Sequence, residues 1–226
     1  VEFGLVELSG EAGIGVLTRV VRGQKDGKMV NRPVRYLGLT GVMGGGKSTA
    51  CAVFAGLGWK VFSADACVAE LLRSDPEVRG ALRERFGHSV FLADGMLDRR
   101  RLADIVFEDD DALRWLEALL HPKVMRQVEA AKESGRGGQR WVFEIPLLFE
   151  KNLETYFDAT VTVSCDPATQ RARLRAKGFQ VTDIERRIPK QLPNSIKMQR
   201  ADFVLTNAGC SAFLEAQALL LSSQMD

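Results

Sequence analysis

Apolar residues fall in two rhythms along this chain. Five short runs have the length and the β-branched or aromatic content of buried strands: Tyr36–Thr40, Lys60–Ser63, Arg140–Ile145, Ala159–Ser164 and Asp202–Leu205. Between them lie stretches with helix signals. Residues 66–73 predict one helix, and Asp75-Pro76 opens another that runs to about Phe86, since proline gives up nothing in a first turn. Asp98 is placed to cap a helix through Val106. Asp109 is placed to cap a long one over about 110–133, where Leu113, Leu116, Leu119 and Leu120 recur on one side. Within this region the pair His121-Pro122 is expected near a helix end, with His121 packed or capping. Asp166-Pro167 opens a further helix, a basic helical region covers 181–200, and a last helix spans about 210–222. Strands alternating with helices imply an α/β domain, a parallel sheet wrapped on both faces.

The first 34 residues carry weaker signals. Val16–Val21 fits a short strand or a helix, and Gly23–Lys28 reads as a solvated loop. Residues 1–34 are therefore expected to be an N-terminal extension, either disordered or foreign to the domain over 35–226. Met29 is an alternative start of the functional polypeptide.

One stretch carries most of the chemistry. The run Gly41-Val42-Met43-Gly44-Gly45-Gly46-Lys47-Ser48-Thr49 follows the first strand and leads into an apolar helix that Gly58 ends. It meets the phosphate-loop pattern G-x-x-x-x-G-K-[ST] through Gly41, Gly46, Lys47 and Ser48. Glycine lets successive backbone N–H groups turn into one concavity without a Cβ clash. The helix start adds unsatisfied N–H groups and the positive end of the dipole. Gly44, Gly45, Gly46, Lys47, Ser48 and Thr49 are thus the candidate ATP-binding residues. Lys47 is a mobile charge for the β- and γ-phosphates, and the Ser48 hydroxyl is a ligand for Mg2+.

Composition narrows the function classes. The chain has 226 residues, 46% of them apolar, enough for one α/β domain with or without a small insertion. Thirty-one basic and 29 acidic residues leave a formal charge of +2, which gives no reason to expect nucleic-acid binding. No apolar run reaches the roughly 18 residues that a membrane helix needs. Cys51, Cys67, Cys165 and Cys210 are far apart and form no C-x-x-C pair, so zinc and a disulfide framework are not expected. Free thiols suit a reducing cytoplasm. The expected partner is a small-molecule substrate, with no membrane and no nucleic acid, for a monomer or weak homo-oligomer.

Ligands of open parallel sheets sit beyond the carboxyl ends of the strands. Asp65 follows the second strand, and a carboxylate near a γ-phosphate can orient an attacking hydroxyl and accept its proton. Asp65 also fits a helix N-cap. Glu144 ends the third strand, where an acid acts on Mg2+ through water or is simply buried and partnered. Between the fourth and fifth strands lie Arg171, Arg173, Arg175, Lys177, Arg186, Arg187, Lys190, Lys197 and Arg200. Two or three of these are expected to reach phosphate from a mobile lid, the others being solvated helix faces. A nucleoside monophosphate kinase, or another P-loop small-molecule kinase, is the alternative. It would present arginines rather than Asp65 to its acceptor. A guanine-nucleotide switch would need an Asn-Lys-x-Asp segment, which the sequence lacks.

Over roughly 35–222 the chain resembles the dephospho-CoA kinase family. The resemblance is carried by Gly38–Gly41 before the phosphate loop, Ala64-Asp65-Ala66, Asp94–Arg99, Leu120-His121-Pro122, Pro146-Leu147-Leu148-Phe149-Glu150, Cys165-Asp166-Pro167, Arg187–Gln191 and Lys197–Asp202. It implies a three-layer P-loop fold with a five-stranded parallel sheet, a helical acceptor-binding insertion over about 66–133 and a helical lid over about 177–200. It implies transfer of the ATP γ-phosphate to the ribose 3′-hydroxyl of dephospho-CoA. In that reading Asp65 resembles the acid that handles the acceptor hydroxyl and Arg187 the lid arginine at the phosphates. With Lys47 these are the candidate catalytic residues. Asp65, His121, Pro146 and Leu148 fall in the acceptor-side region. Ser63 stands where the family usually has an acid, and Pro189 where a small helical residue is usual, so Pro189 is expected to kink the lid.

Overall fold

The structure, a computed structural model, describes residues 3–8, 15–20, 33–135, 137–207 and 211–225. It divides into two compact units, residues 63–134 and the remainder of the chain.

The larger unit is built on strands β1 (Phe3–Leu8), β2 (Gly15–Val20), β3 (Tyr36–Gly41), β4 (Lys60–Ser63), β5 (Trp141–Glu144), β6 (Ala159–Ser164) and β7 (Phe203–Thr206), in the spatial order β1-β2-β7-β6-β3-β5-β4. The five from β7 to β4 form the expected parallel sheet, with β3 paired in parallel to β5 and β6, and β6 to β7. β3 is buried from Leu37 onward because both faces are covered. Leu37 and Leu39 join a core with Phe54, Val142, Val161, Leu214 and Leu221, contributed by α1 (Lys47–Gly56), α9 (Ser211–Ser223) and the neighbouring strands. Gly38 points the other way, where an added Cβ would stand 2.6 Å from Phe157 and 2.8 Å from Leu148.

The N-terminal segment differs from the expectation. β1 and β2 pair antiparallel, and β2 continues the sheet by pairing antiparallel with β7, Thr18 opposite Val204 and Arg19 opposite Phe203. Of the two readings of Val16–Val21, the strand is the one found over Gly15–Val20, and among the described residues the sheet has seven strands. Val34, assigned to the extension, is buried in the main core, and its N–H donates to Met225 O at 3.1 Å. Gly23–Lys28 and Met29 lie outside the described residues.

The smaller unit holds α2 (Ala64–Ser74), α3 (Pro76–Phe86), α4 (Arg99–Glu108) and α5 (Asp110–Ser134) around Leu72, Val78, Leu82, Leu102, Val106 and Leu120. Asp75, Asp98 and Asp109 cap helices as their positions predict, accepting from Val78 N, Arg101 N and Ala112 N. Two expectations fail here. His121 and Pro122 lie inside α5 rather than near its end. The buried stripe of Leu120, Val124 and Val128 continues past the proline, and that packing outweighs one lost backbone hydrogen bond. The cap of α2 is Ser63, whose hydroxyl accepts from Ala66 N at 3.4 Å, and not Asp65.

Candidate active site

Within the larger unit the chain runs from β3 to β4 and β5 on one side, then to β6 and β7 on the other. The order therefore reverses at β3, and in open parallel sheets ligands bind beyond the carboxyl end at such a point. The loop after β3 occupies that place. Gly46 is the N-cap of α1 with φ 100 and ψ 25, and no side chain caps the helix. An added Cβ at Gly46 would stand 1.9 Å from Asn207 Nδ2. Both the backbone angle and the close approach require glycine. The helix thus opens with bare first-turn N–H groups, which attract anions.

Side chains hold the loop's outer peptide groups. Asn207 Nδ2 donates to Gly45 O at 2.9 Å, and Arg173 donates to Asn207 Oδ1 at 3.2 Å. Gln170 donates to Met43 O at 2.9 Å, and Gln191 Oε1 accepts from Met43 N at 3.0 Å. Gly45 N donates to Val42 O at 3.0 Å. Gly44 sits over Leu174 of the helix α6 (Pro167–Ala176), 2.9 Å from an added Cβ. Lys47 Nζ reaches the carbonyls of Gly41 and Val42, each at 3.3 Å. Ser48 and Thr49 stand in the first turn of α1 with exposed side chains. These six residues, Gly44 to Thr49, are brought together.

Two charges lie near the base of the loop. Glu144, nearly buried, ends β5 opposite Leu39 of β3. The Cys51 thiol is pushed up to about 12, first by burial and then by the Glu144 carboxylate, with Lys47 opposing. Cys51 is therefore an inert thiol at neutral pH. Among the described residues no group of three or more His, Cys, Asp or Glu could hold a metal. A Mg2+ ion needs only one or two protein oxygens beside substrate phosphates, and the exposed Ser48 hydroxyl at a phosphate-binding helix start fits that need.

The lid region departs from a continuous helix. Helix α7 (Val181–Arg187) stops before a 3-10 turn over Ile188–Lys190 that contains Pro189, and α8 (Asn194–Arg200) follows. Proline removes an N–H from the ladder and its ring crowds the preceding turn. Arg187 is the last residue of α7, with its guanidinium 5.5 Å from the Phe179 ring centroid. Lys197, one of the basic residues expected either on solvated helix faces or at phosphate, is completely buried.

The acceptor-side candidates are divided between the two units. Pro146 O accepts from the Thr40 hydroxyl at 3.1 Å and from Lys197 Nζ at 3.0 Å. Leu148 is completely buried against Gly38, so its side chain packs beneath β3 instead of lining a site. Asp65 and His121 belong to the smaller unit. Asp65 is exposed in the first turn of α2, and His121 is half-buried midway along α5. That unit contains a cleft of about 310 Å3 lined by Ala69, Leu72, Met96, Arg73, Arg79 and Arg99, among others. Arg79 is fixed there, donating to Gly95 O at 2.7 Å and to Arg73 O at 3.2 Å. Sequence reasoning missed Gln170 and Gln191 as braces of Met43, because uncharged side chains on a basic, polar stretch carry no local signal.

Comparison with known proteins agrees with this geometry. A sequence model of the dephospho-CoA kinase family matches residues 35–212. A dephospho-CoA kinase of Synechococcus sp. (strain JA-2-3B'a(2-13)) is 36% identical over 214 residues, covering 81% of this chain and 90% of the relative. One from Synechococcus sp. (strain CC9902) is 39% identical over 181 residues, covering 78% and 90%. Among solved structures, TT1252 from Thermus thermophilus superposes with a TM-score of 0.72 at 33% identity, covering 87% of this chain and 100% of that one. The dephospho-CoA kinase from Campylobacter jejuni shares the fold at a TM-score of 0.64 and 21% identity, covering 84% and 96%. With the family pattern spanning the phosphate loop, the strand ends and the lid, the chain belongs to the dephospho-CoA kinase family.

Proposed function

We infer that the protein transfers the γ-phosphate of ATP to the ribose 3′-hydroxyl of dephospho-CoA, as an ATP-dependent transferase acting on an alcohol. The observation that carries this reading is the glycine cradle with Lys47 and Ser48 at the reversal of strand order, in a chain that matches the family over 35–212.

The loop N–H groups and Lys47 hold the triphosphate and offset the charge that builds on the leaving β-phosphate. The Ser48 hydroxyl would hold Mg2+, which would supply charge neutralisation at the phosphate oxygens. Asp65 accepts a hydrogen bond from the acceptor hydroxyl and takes its proton. The acceptor oxygen attacks the γ-phosphorus in line, the bond to the β,γ-bridging oxygen breaks, and ADP leaves. Arg187 stabilises the equatorial oxygens from the lid. Pro146 and His121 serve the acceptor side.

The cleft in the smaller unit takes the rest of the acceptor. Asp65, Ala69 and Leu72 follow one another at helical spacing on α2, and Ala69 and Leu72 line that cleft. The Arg73 guanidinium is engaged by Glu70, which also lines the cleft, so a diphosphate suits Arg79 and Arg99, and an uncharged arm suits Leu72 and Met96. Free Cys51, Cys67 and Cys165 are consistent with a cytoplasmic enzyme, and no helix among the described residues is long and apolar enough to cross a membrane. We take it to act as a monomer or weak homo-oligomer.

The test is a chromatographic assay with ATP, Mg2+ and dephospho-CoA, run in parallel with nucleoside monophosphates as acceptors. Formation of the 3′-phosphorylated product with dephospho-CoA alone is expected. Preferred phosphorylation of a nucleoside monophosphate would overturn the reading.

A further inference from the structure

Lysine is almost never fully buried unless its charge is paired, and Lys197 is completely buried. Its Nζ lies 2.8 Å from Glu150 Oε1, on a side chain that is 13% exposed, and donates to Pro146 O at 3.0 Å. The same Glu150 oxygen accepts the Leu192 N–H at 2.9 Å. One residue earlier, Gln191 holds the Met43 N–H of the phosphate loop. Pro146 O in turn accepts from Thr40, the residue before Gly41 in the strand that delivers the loop. Asn194 adds a bond from Nδ2 to Ser164 Oγ at 2.8 Å, at the end of β6. The segment that follows the basic lid is thus tied to the ends of β3, β5 and β6 and to the loop itself. Only the 3-10 turn Ile188–Lys190 separates Arg187 from this anchorage.

We propose that the Glu150–Lys197 ion pair is a positioning device for phosphoryl transfer: it clamps Gln191 and Leu192 beside the phosphate loop and so sets where Arg187 stands against the transferred phosphoryl group. The proposal rests on the reading of Arg187 given above. Stability alone does not explain the choice of residues. An apolar pair of similar volume commonly serves a core as well as a buried ion pair does or better, whereas an ion pair fixes one register. Glu150 uses its charge twice on one oxygen, toward Lys197 and toward the lid backbone at Leu192, which an apolar replacement cannot do. Neither side chain touches the reacting atoms. Both act through the backbone that carries Arg187.

The test is steady-state kinetics and thermal unfolding of full-length variants. Glu150→Met and Lys197→Met singly each leave one buried polar group without its partner, and both lower the melting temperature. The double variant Glu150→Met/Lys197→Met, apolar at both positions, regains most of that loss in stability but has no acceptor for the Leu192 N–H. Its kcat nevertheless stays about ten- to a hundredfold low, the scale of a misplacement near 1 Å, with KM for dephospho-CoA little changed. Adding Arg187→Ala then costs only a few-fold more, although Arg187→Ala alone costs far more. Gln191→Ala, which removes an uncharged side chain and leaves no buried charge, shows the same kinetic signature and provides the readout if the ion-pair variants fail to fold. A stable double variant with ordinary kcat, or losses that add fully to that of Arg187→Ala, overturns the proposal. So does ordinary kcat in Gln191→Ala. If Arg187→Ala alone leaves kcat unchanged, the reading of Arg187 fails and the proposal falls with it.

Discussion

The substitution Gly46→Ala tests the phosphate loop at its tightest point. Gly46 has φ 100, and a Cβ there would stand 1.9 Å from Asn207 Nδ2. Two costs follow, and they separate. Holding alanine at a left-handed backbone angle costs about 1–2 kcal/mol. Pushing Asn207 aside breaks its bond to Gly45 O and leaves a buried polar group unpartnered, for about 1–3 kcal/mol more. Together they come to about 2–5 kcal/mol, which in a chain of this length lowers the melting temperature by about 4–20 °C. ATP affinity falls at least about tenfold, because the same shift turns loop N–H groups away from the phosphates and each 1.4 kcal/mol is a factor of ten. The double variant Gly46→Ala/Asn207→Ala isolates the clash. In the Asn207→Ala background the added methyl meets only the Cβ of residue 207, at an ordinary contact distance of 3.8 Å, so Gly46→Ala costs only the backbone part, and the two substitutions couple by about 1–3 kcal/mol. Thermal unfolding and calorimetric titration with ATP measure both quantities. Strict additivity would remove the collision with Asn207 from the explanation. Unchanged ATP affinity in Gly46→Ala would refute the need for glycine altogether.

Three further outcomes are expected. Asp65→Asn abolishes turnover with dephospho-CoA while leaving ATP binding largely intact, whereas Lys47→Ala abolishes transfer and weakens binding as well; near-normal turnover in Asp65→Asn would take that residue out of the mechanism. A chain beginning at Met29 keeps its kcat, with a lower melting temperature because β7 loses its partner β2, and failure to fold would refute dispensability. The Asp75 carboxyl is held below its ordinary value, chiefly by the Val78 N–H and then by Lys123. Its contribution is therefore full above the ordinary carboxylate range and lost as pH falls through the lowered value of the folded state. Asp75→Ala costs about 1 kcal/mol as a lost cap at neutral pH and flattens the acid limb of a stability–pH profile, with kcat unchanged.

Much of this protein was legible in the sequence because the signals are local. The G-x-x-x-x-G-K-[ST] spacing identifies the phosphate loop without any tertiary contact, since donors, dipole and charge are consecutive in the chain. Caps read equally well: Asp75, Asp98, Asp109 and Asp166 each accept from a backbone N–H within the next turn. The readings that failed depended on remote neighbours. Pro122 suggested a helix end, and a buried stripe on both sides of it carried α5 through. Lys197 could not be told from its basic neighbours until the fold brought Glu150, forty-seven positions earlier in the chain, within 2.8 Å of it. Leu148 belonged to a motif that resembles an acceptor site, and the sheet buried it against Gly38.

By itself, then, the amino-acid sequence determined what is contiguous: where strands and helices begin, that a phosphate is gripped, and which family pattern the chain follows. Only the tertiary structure decided how the grip is held. Asn207, Arg173, Gln170 and Gln191 come from separate segments and meet at the loop. No rule of spacing encodes such meetings. A hydrogen bond across the fold depends on where the sheet order and the packed helices place two distant backbones, and that placement is a property of the whole core.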